Sequence, residues 1–419
     1  MLKQLVHRPR LTSIVLISAG LAAAASGAPT VTNCGTATGT TSSRAFGISA
    51  DGTAIIGTQY FSNGQYNAFR WTQAGGFQAL GIPGLIIGYA MSGDGAVCTG
   101  FRTSPSALAF VWTQGTGPQT MPTLANEINS SAYGISADGG TVVGECVIFG
   151  AGGYHAWRYS DSYGKQELAM ASNAVTASAF GISADAGVIV GRMSHPDTTA
   201  EAFAWTESEG MTGIGTLDGG ADATAYAADA DGSVIVGYSD DASGSDRAFR
   251  WEAGEMQALG TLGADTVSFA YATNGDGSVV GGMSGIGALD DTTSHAFVWV
   301  AGRGMLNLRD EFVAQGGNAT GWEFNSVRGV SADGTAVCGT GRINGLRRAY
   351  LIRGLELGAS TCPPCAADYD GNGGVDGGDL AAFFTDFEAG AACADVDGNG
   401  GVDGGDLGAF FAAFEAGGC

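Results

Sequence analysis

One block recurs seven times along the chain, and no single fact limits the possible folds more. It reads aromatic-Gly-Ile-Ser-Ala-Asp-Gly, then a short apolar run, then Gly, and it can be anchored on Asp51, Asp94, Asp138, Asp185, Asp231, Asp276 and Asp333. The anchors are 43, 44, 47, 46, 45 and 57 residues apart. Five residues before six of them stands an aromatic: Phe46, Tyr89, Tyr133, Phe180, Tyr226 and Tyr271. The seventh copy has Arg328 there. Six residues after every anchor comes a glycine, from Gly57 and Gly100 through Gly339. A second block, Ala-Phe-x-Trp, follows at Ala68/Phe69/Trp71, Ala109/Phe110/Trp112, Ala202/Phe203/Trp205, Ala248/Phe249/Trp251 and Ala296/Phe297/Trp299. Its variants are Ala156-Trp157-Arg158-Tyr159 and Ala349-Tyr350-Leu351-Ile352.

Each repeat thus offers four strand-like pieces, the last being a segment such as Phe77 to Gly81 or Met256 to Leu262. With 72 glycines in 419 residues, helices are disfavoured and turns and close strand approaches are favoured. Asp-Gly between the first two pieces predicts a tight hairpin, glycine taking the positive φ and aspartate bonding its own backbone. The second piece, such as Val234-Ile235-Val236, is apolar at successive positions, so it is covered on both faces. In the third, Phe and Trp share one face while Ala points the other way, which lets a bulky face meet a small face next door. Four-stranded units of this period predict a β-propeller, all-β and seven-bladed, closed on itself so that no edge is left open. An open solenoid would need capping units. The long last interval holds an insertion, Leu308 to Trp322, with a short helix expected at Asp310 to Ala314, and the segment Thr30 to Cys34 is a candidate closing strand.

From Thr361 the composition changes to eleven acidic residues and no basic one, marking a second domain. Oxygen-bearing side chains occupy positions 1, 3, 5, 9 and 12 of a twelve-residue loop: Asp368, Asp370, Asn372, Asp376 and Asp379. Gly373 stands at the sharp turn, and Gly374 would offer its carbonyl at position 7. The loop returns 27 residues later as Asp395, Asp397, Asn399, Gly401, Asp403 and Asp406. Four carboxylates in one small loop repel one another without a cation, so two calcium ions are expected. Each loop precedes an apolar stretch of helical period, with Phe383, Phe384 and Phe387 or Phe410, Phe411 and Phe414 read as core. Cys362-Pro363-Pro364-Cys365 leaves no helix before the first loop.

The spelling Gly-Ile-Ser-Ala-Asp-Gly with Ala-Phe-x-Trp, preceded by His at His155 and His295, resembles the extracellular HAF repeat family over about residues 44 to 353. That resemblance implies an extracellular propeller-like module without defined catalysis. The doubled loop-plus-helix with Asp at position 12 resembles the type I dockerins, and the terminal Gly418-Cys419 resembles their GC type. This implies a cohesin-like or other cell-surface partner, although the Ala- and Gly-rich helices depart from the classical pattern.

Lys3, His7, Arg8 and Arg10, an apolar run to Ala25 and small residues to Ala28 read as a secretory signal. The domains are then 1–28, 29–358 and 359–419. The run is shorter than the ~20 residues a membrane span needs, so no transmembrane helix is expected in the mature chain. A net charge of −23, near −26 once the three basic signal residues are gone, argues against a nucleic-acid partner. In an exported chain disulfides are permitted, and the Cys362/Cys365 pair, with Cys393 and Cys419 in the tail, is expected to form structural disulfides of open connectivity rather than a zinc or redox site, with Cys98 and Cys338 as buried thiols. Four histidines and no Ser/His/Asp or Cys/His constellation leave no catalytic residue to name. The expected function is a non-catalytic binding or structural module, secreted and held at the cell surface. The alternative is a polysaccharide-degrading propeller enzyme, with Glu145, Glu201, Glu207, Asp240 and Asp241 as unassigned carboxylates.

Overall fold

The computed structural model describes residues 27–357 except 36, 38, 82–85, 104–106, 198 and 288–292. Of the tail it describes 367, 369, 375, 377–389, 394, 396, 402 and 404–416. Residues 1–26 of the expected signal segment 1–28 and the tail cysteines lie outside the described residues.

Seven four-stranded antiparallel sheets form seven blades. Blade 1 runs outward through Thr40–Ile48, Ala54–Phe61, Tyr66–Thr72 and Gly76–Ala79. Blade 7 supplies only three strands of its own, Trp322–Val330, Ala336–Ile343 and Leu346–Arg353. Its fourth is Thr30–Asn33 from the other end of the chain, paired with Leu346–Arg353 from Thr30 opposite Arg353 to Asn33 opposite Tyr350. The expected closing strand therefore shuts the ring and covers the edge that Leu346–Arg353 would otherwise expose, giving blade 7 four strands like the others.

The anchor turns form as their residues dictate. In blade 1 the Ser49 hydroxyl donates to Asp51 Oδ1 at 2.7 Å and accepts from the Ala54 amide at 2.9 Å, while Asp51 Oδ1 accepts from the Thr53 amide at 3.0 Å. Gly52 completes the turn at φ 66°. Neighbouring turns are joined to each other. Ala50 donates to Gly93, Gly93 to Ala137, Ala137 to Ala184, Asp185 to Ala230, Ala230 to Gly275, Gly275 to Ala332 and Ala332 back to Ala50, at 2.8–3.1 Å throughout. These seven backbone bonds make a closed circuit around the axis.

The blades are held side by side by the large-on-small packing that the Ala-Phe-x-Trp block predicts. Phe110 and Trp112 of blade 2 lie against Ala54, Ile56 and Ala68 of blade 1. Phe69 and Trp71 of blade 1 lie against Ala336, Ala349 and Leu351 of blade 7, and Tyr350 of blade 7 against Ala296 and Val298 of blade 6. The other four interfaces repeat the arrangement. Each buried aromatic contributes about 1.5–3 kcal/mol by leaving water. Between blades 6 and 7 lies α1, Leu308–Ala314, capped by Asn307, with Phe312 fully buried.

The four described cysteines include the two read as buried thiols, Cys98 and Cys338. Cys34, Cys98, Cys146 and Cys338 are all free and buried. Burial pushes the Cys98 and Cys146 thiols up to about 12, since a thiolate there would lose its hydration. Cys98 and Cys146 lie in separate blade interfaces, while Cys34 and Cys338 share the apolar cluster between blades 1 and 7.

In the tail, α2, Gly377–Ala389, packs on α3, Gly404–Ala416. Residues 27 apart take equivalent places: Phe383 stacks on Phe410 with centroids 3.9 Å apart and planes 2° from parallel, and Tyr369 meets both edge-on. Of the stripes read as core, Phe383 and Phe410 are fully buried and Phe387 and Phe414 pack partly against them, whereas Phe384 and Phe411 stay exposed.

Candidate functional site

The repeated aromatic of the first block is delivered to the propeller axis by a β-bulge. In blade 1, Ala45 pairs with Gly57 and Gly47 with Ile56, so Phe46 is passed over. The register slips at the same place in every blade, passing over Tyr89, Tyr133, Phe180, Tyr226, Tyr271 and Arg328. A bulge re-aims the side chain of its extra residue, and seven identical bulges aim seven side chains at one channel.

The bulge also explains the glycine six residues after each anchor. A Cβ on Gly57 would overlap the Arg44 carbonyl oxygen and come within 2.9 Å of the Phe69 ring. At Gly144 the Ser131 carbonyl and the Trp157 ring, 2.8 Å away, leave no more room. Glycine is thus needed where the bulged strand and the third-strand aromatic close from two sides.

The seven side chains form a ring. From Phe46 to Tyr271, successive centroids lie 5.3, 5.0, 5.3, 5.7 and 5.2 Å apart, with planes inclined at 43–65°. Tilted contacts of this kind set ring edges against the electron-rich faces of neighbours. Arg328 completes the circle, its guanidinium carbon 3.6 Å from the Tyr271 centroid, a cation–π contact. A cavity of about 320 Å³ is lined by these seven residues alone. A second, of about 190 Å³, lies between the ring and the residues that follow it, among them Gly47, Ile48, Gly134 and Ile135. Other aromatics back the ring: Phe101 stacks on Tyr89 at 5.9 Å, and Tyr238 lies 6.0 Å from Tyr226 and 4.6 Å from Phe269.

The phenols are neutral hydrogen-bonding groups. Burial, with Tyr60 nearby, pushes Tyr89 up to about 12, and burial followed by Tyr271 raises Tyr226. Tyr133 is raised by burial and then by the Glu145 carboxylate, to which its hydroxyl donates at 2.8 Å. Among the described residues the hydroxyls of Tyr89 and Tyr226 have no hydrogen-bond partner, and Arg328 has no carboxylate partner. The channel therefore offers apolar ring surface, free phenol groups and one unneutralised cation.

Of the other carboxylates singled out in the sequence, Glu201 and Glu207 stand apart, while Asp240 and Asp241 lie beside Asp222 and Asp246, away from the channel ring. Glu201 accepts from His195 at 3.0 Å, Glu207 pairs with Arg158, and Asp241 pairs with Arg247 at 3.1 Å. Asp240 accepts the Ala221 and Asp222 amides at 2.7 and 2.8 Å. The histidine pairs stop at two members. His155 has Glu167 at 2.7 Å on one nitrogen and the Gly152 carbonyl on the other, and His195 has the Asn173 carbonyl behind Glu201. His295 faces Asp265 at 3.0 Å. Only Glu145 reaches the channel ring.

Of the twelve residues expected to hold calcium, Asp379 and Asp406 are described, and both are fully buried in the first turns of α2 and α3. Asp368, Asp370, Asn372, Gly374, Asp376, Asp395, Asp397, Asn399, Gly401 and Asp403 lie outside the described residues. Among the described residues no group of three or more His, Cys, Asp or Glu is placed to hold a metal ion, and no helix is long and apolar enough to cross a membrane.

What sequence reading missed was the meeting of the seven positions. The signal was present, since one side chain at the same place on every innermost strand of a closed ring must face the axis, but the bulge that turns it inward has no spelling of its own.

No family model matches the chain, and no curated protein matches it. Among solved structures it is similar to an oligogalacturonate lyase in complex with manganese, at 15% identity and a TM-score of 0.53, covering 78% of this chain and 93% of that one. An oligogalacturonate lyase from Vibrio parahaemolyticus gives 12% and 0.49, covering 77% and 93%. The β-propeller domain of the Trilobed protease from Pyrococcus furiosus gives 12% and 0.49, covering 74% and 95%. At 15% identity the first likeness is one of fold.

Proposed function

We propose that the protein is an exported surface module whose propeller binds its ligand without catalysis at the axial ring. The C-terminal part, a GC-type dockerin-like unit, holds two calcium ions and displays the propeller through a cohesin-like or other cell-surface partner. The observation that carries the binding reading is the convergence of all seven repeats on one partly exposed ring of aromatics and a cation, with unused hydrogen-bonding groups. Sites built from large apolar walls and a few placed polar groups are typical of ligand pockets.

The calcium reading is supported by the donor set. Two carboxylates buried at equivalent helix starts suit oxygen coordination of a hard cation, and the remaining oxygen donors of each loop would complete it. Calcium would supply positive charge that relieves the repulsion among four carboxylates per loop.

Two measurements on the secreted chain test this. Surface components should be captured by the wild-type protein and lost from a Tyr89→Ala/Tyr226→Ala variant; equal capture would move the site off the channel. Calorimetry should show two calcium ions bound, and the Asp368→Ala/Asp395→Ala variant should lose them while keeping the propeller's thermal transition. Uptake unchanged by that double substitution would remove the calcium assignment.

A polysaccharide-degrading role has one feature in its favour, the Tyr133–Glu145 pair, an acid and base in contact beside the ring. Release of reducing ends from a polysaccharide, abolished by Glu145→Gln, would replace the binding reading with this one.

A further inference from the structure

We infer that the axial ring selects a pyranose that carries a carboxylate, a uronic acid unit, with Arg328 as the residue that reads the acid group. The inference rests on the channel being the binding site and names what the site takes.

The sign of the ligand follows from Arg328. Its guanidinium is delivered by the same bulge that delivers the six aromatics, lies on Tyr271 at 3.6 Å, and has no carboxylate partner among the described residues. In a chain with 41 acidic and 18 basic residues, an unpaired arginine at the focus of all seven repeats stands out. Aromatic faces alone would favour a cation, but that place is taken, and a second cation would be repelled. A carboxylate instead meets the planar fork of a guanidinium with two parallel hydrogen bonds. The charges point the same way: with the Glu145 carboxylate, held by Tyr133, also at the ring, Arg328 matches a monoanion better than a phosphate dianion.

The shape and the remaining polar groups select a sugar. A cavity of about 320 Å³ stands at the small end of ligand pockets and suits one six-membered ring. The C–H faces of a pyranose pack on aromatic rings, and its hydroxyls supply partners for Tyr89 and Tyr226. An aromatic carboxylate would satisfy Arg328 but leave both phenols buried without a partner, which costs affinity.

Calorimetry on the full chain with galacturonate, galactose and benzoate decides it. Galacturonate should bind, with galactose and benzoate each weaker by ~10-fold or more, the effect of one lost charge-assisted or hydroxyl contact set. Arg328→Phe gives the seventh repeat the residue type of the other six, so it should fold, and it should bring galacturonate down to the level of galactose. Arg328→Gln serves as the second variant and should show the same loss. Tyr226→Phe should weaken both sugars and leave benzoate unchanged. Absence of galacturonate binding, galactose or benzoate binding as tightly, or galacturonate affinity untouched in a folded Arg328 variant would overturn the inference. If galacturonate fails while surface components are still lost from Tyr89→Ala/Tyr226→Ala, only the uronate assignment falls and the channel remains the site.

Discussion

Ala186 stands where the other six anchor turns have glycine, and its backbone is held at φ 65° beside glycines at 66–81°. The turn around it is otherwise intact, with Ser183 Oγ and the Gly187 amide donating to Asp185 Oδ1 at 2.6 and 2.8 Å. A left-handed conformation costs an L-residue roughly 1–2 kcal/mol, while glycine loses about 0.4–1 kcal/mol through the freedom of the unfolded chain. Ala186→Gly should therefore stabilise by about 0.5–1 kcal/mol in urea unfolding. Gly144→Ala should do the reverse, costing on the order of 3 kcal/mol, because the added carbon meets a backbone carbonyl and a buried tryptophan that cannot both move. The two glycine classes differ in how readable they are. The turn glycines follow from Asp-Gly chemistry, and the repeat made that plain. The role of Gly144 depends on a neighbouring bulge and on Trp157, which lie elsewhere in the chain and meet it only after folding.

At the scale of elements, one joint differs from the rest: the place where the propeller's first and last strands meet. Thr30–Asn33 is four residues long and covers the edge of Leu346–Arg353, while Cys34 adds a bond from its amide to the Ala349 carbonyl at 3.1 Å. Removing residues 27–33 should lower the melting temperature and expose a strand edge for pairing between molecules. Light scattering on the truncated chain should show association, and an unchanged melting temperature would show that side-chain packing alone closes the ring. Packing between blades was legible in advance, because Phe and Trp on one face and Ala on the other leave one way to stack. The short helix was also legible from its insertion, and the structure extends it to Leu308–Ala314, where Asn307 caps it. The free thiols were not all legible. Repetition places Cys146 in a strand and says nothing of Cys34, which precedes the first repeat, and only the three-dimensional neighbourhood shows each one enclosed by apolar side chains.

For the whole molecule, the repeated turns give a shared response to acid. The Ser92 hydroxyl holds the Asp94 carboxyl below its ordinary value, and Ser136 does the same for Asp138, each helped by the following amide. A carboxyl depressed on folding binds protons more tightly in the unfolded chain, so stability rises with pH. This contribution is complete above the ordinary value near 4 and is lost as pH falls through the folded one. The melting temperature should thus fall steeply as pH drops below about 4, and Asp94→Asn should make that fall shallower. Asp229 works the other way, since burial raises its carboxyl where most other repeats have serine.

The circuit of backbone bonds that links the seven anchor turns has a further consequence. A helix or a strand frays because it has ends, and its terminal amides open first. A loop of bonds returning from Ala332 to Ala50 has no first member. Its peptide dipoles chase one another around the axis and cancel, so they add no net field along the channel. Opening one bond frees no neighbour to open next, and the seven amides should become exchangeable with solvent deuterium together, at the rate at which the whole ring comes apart.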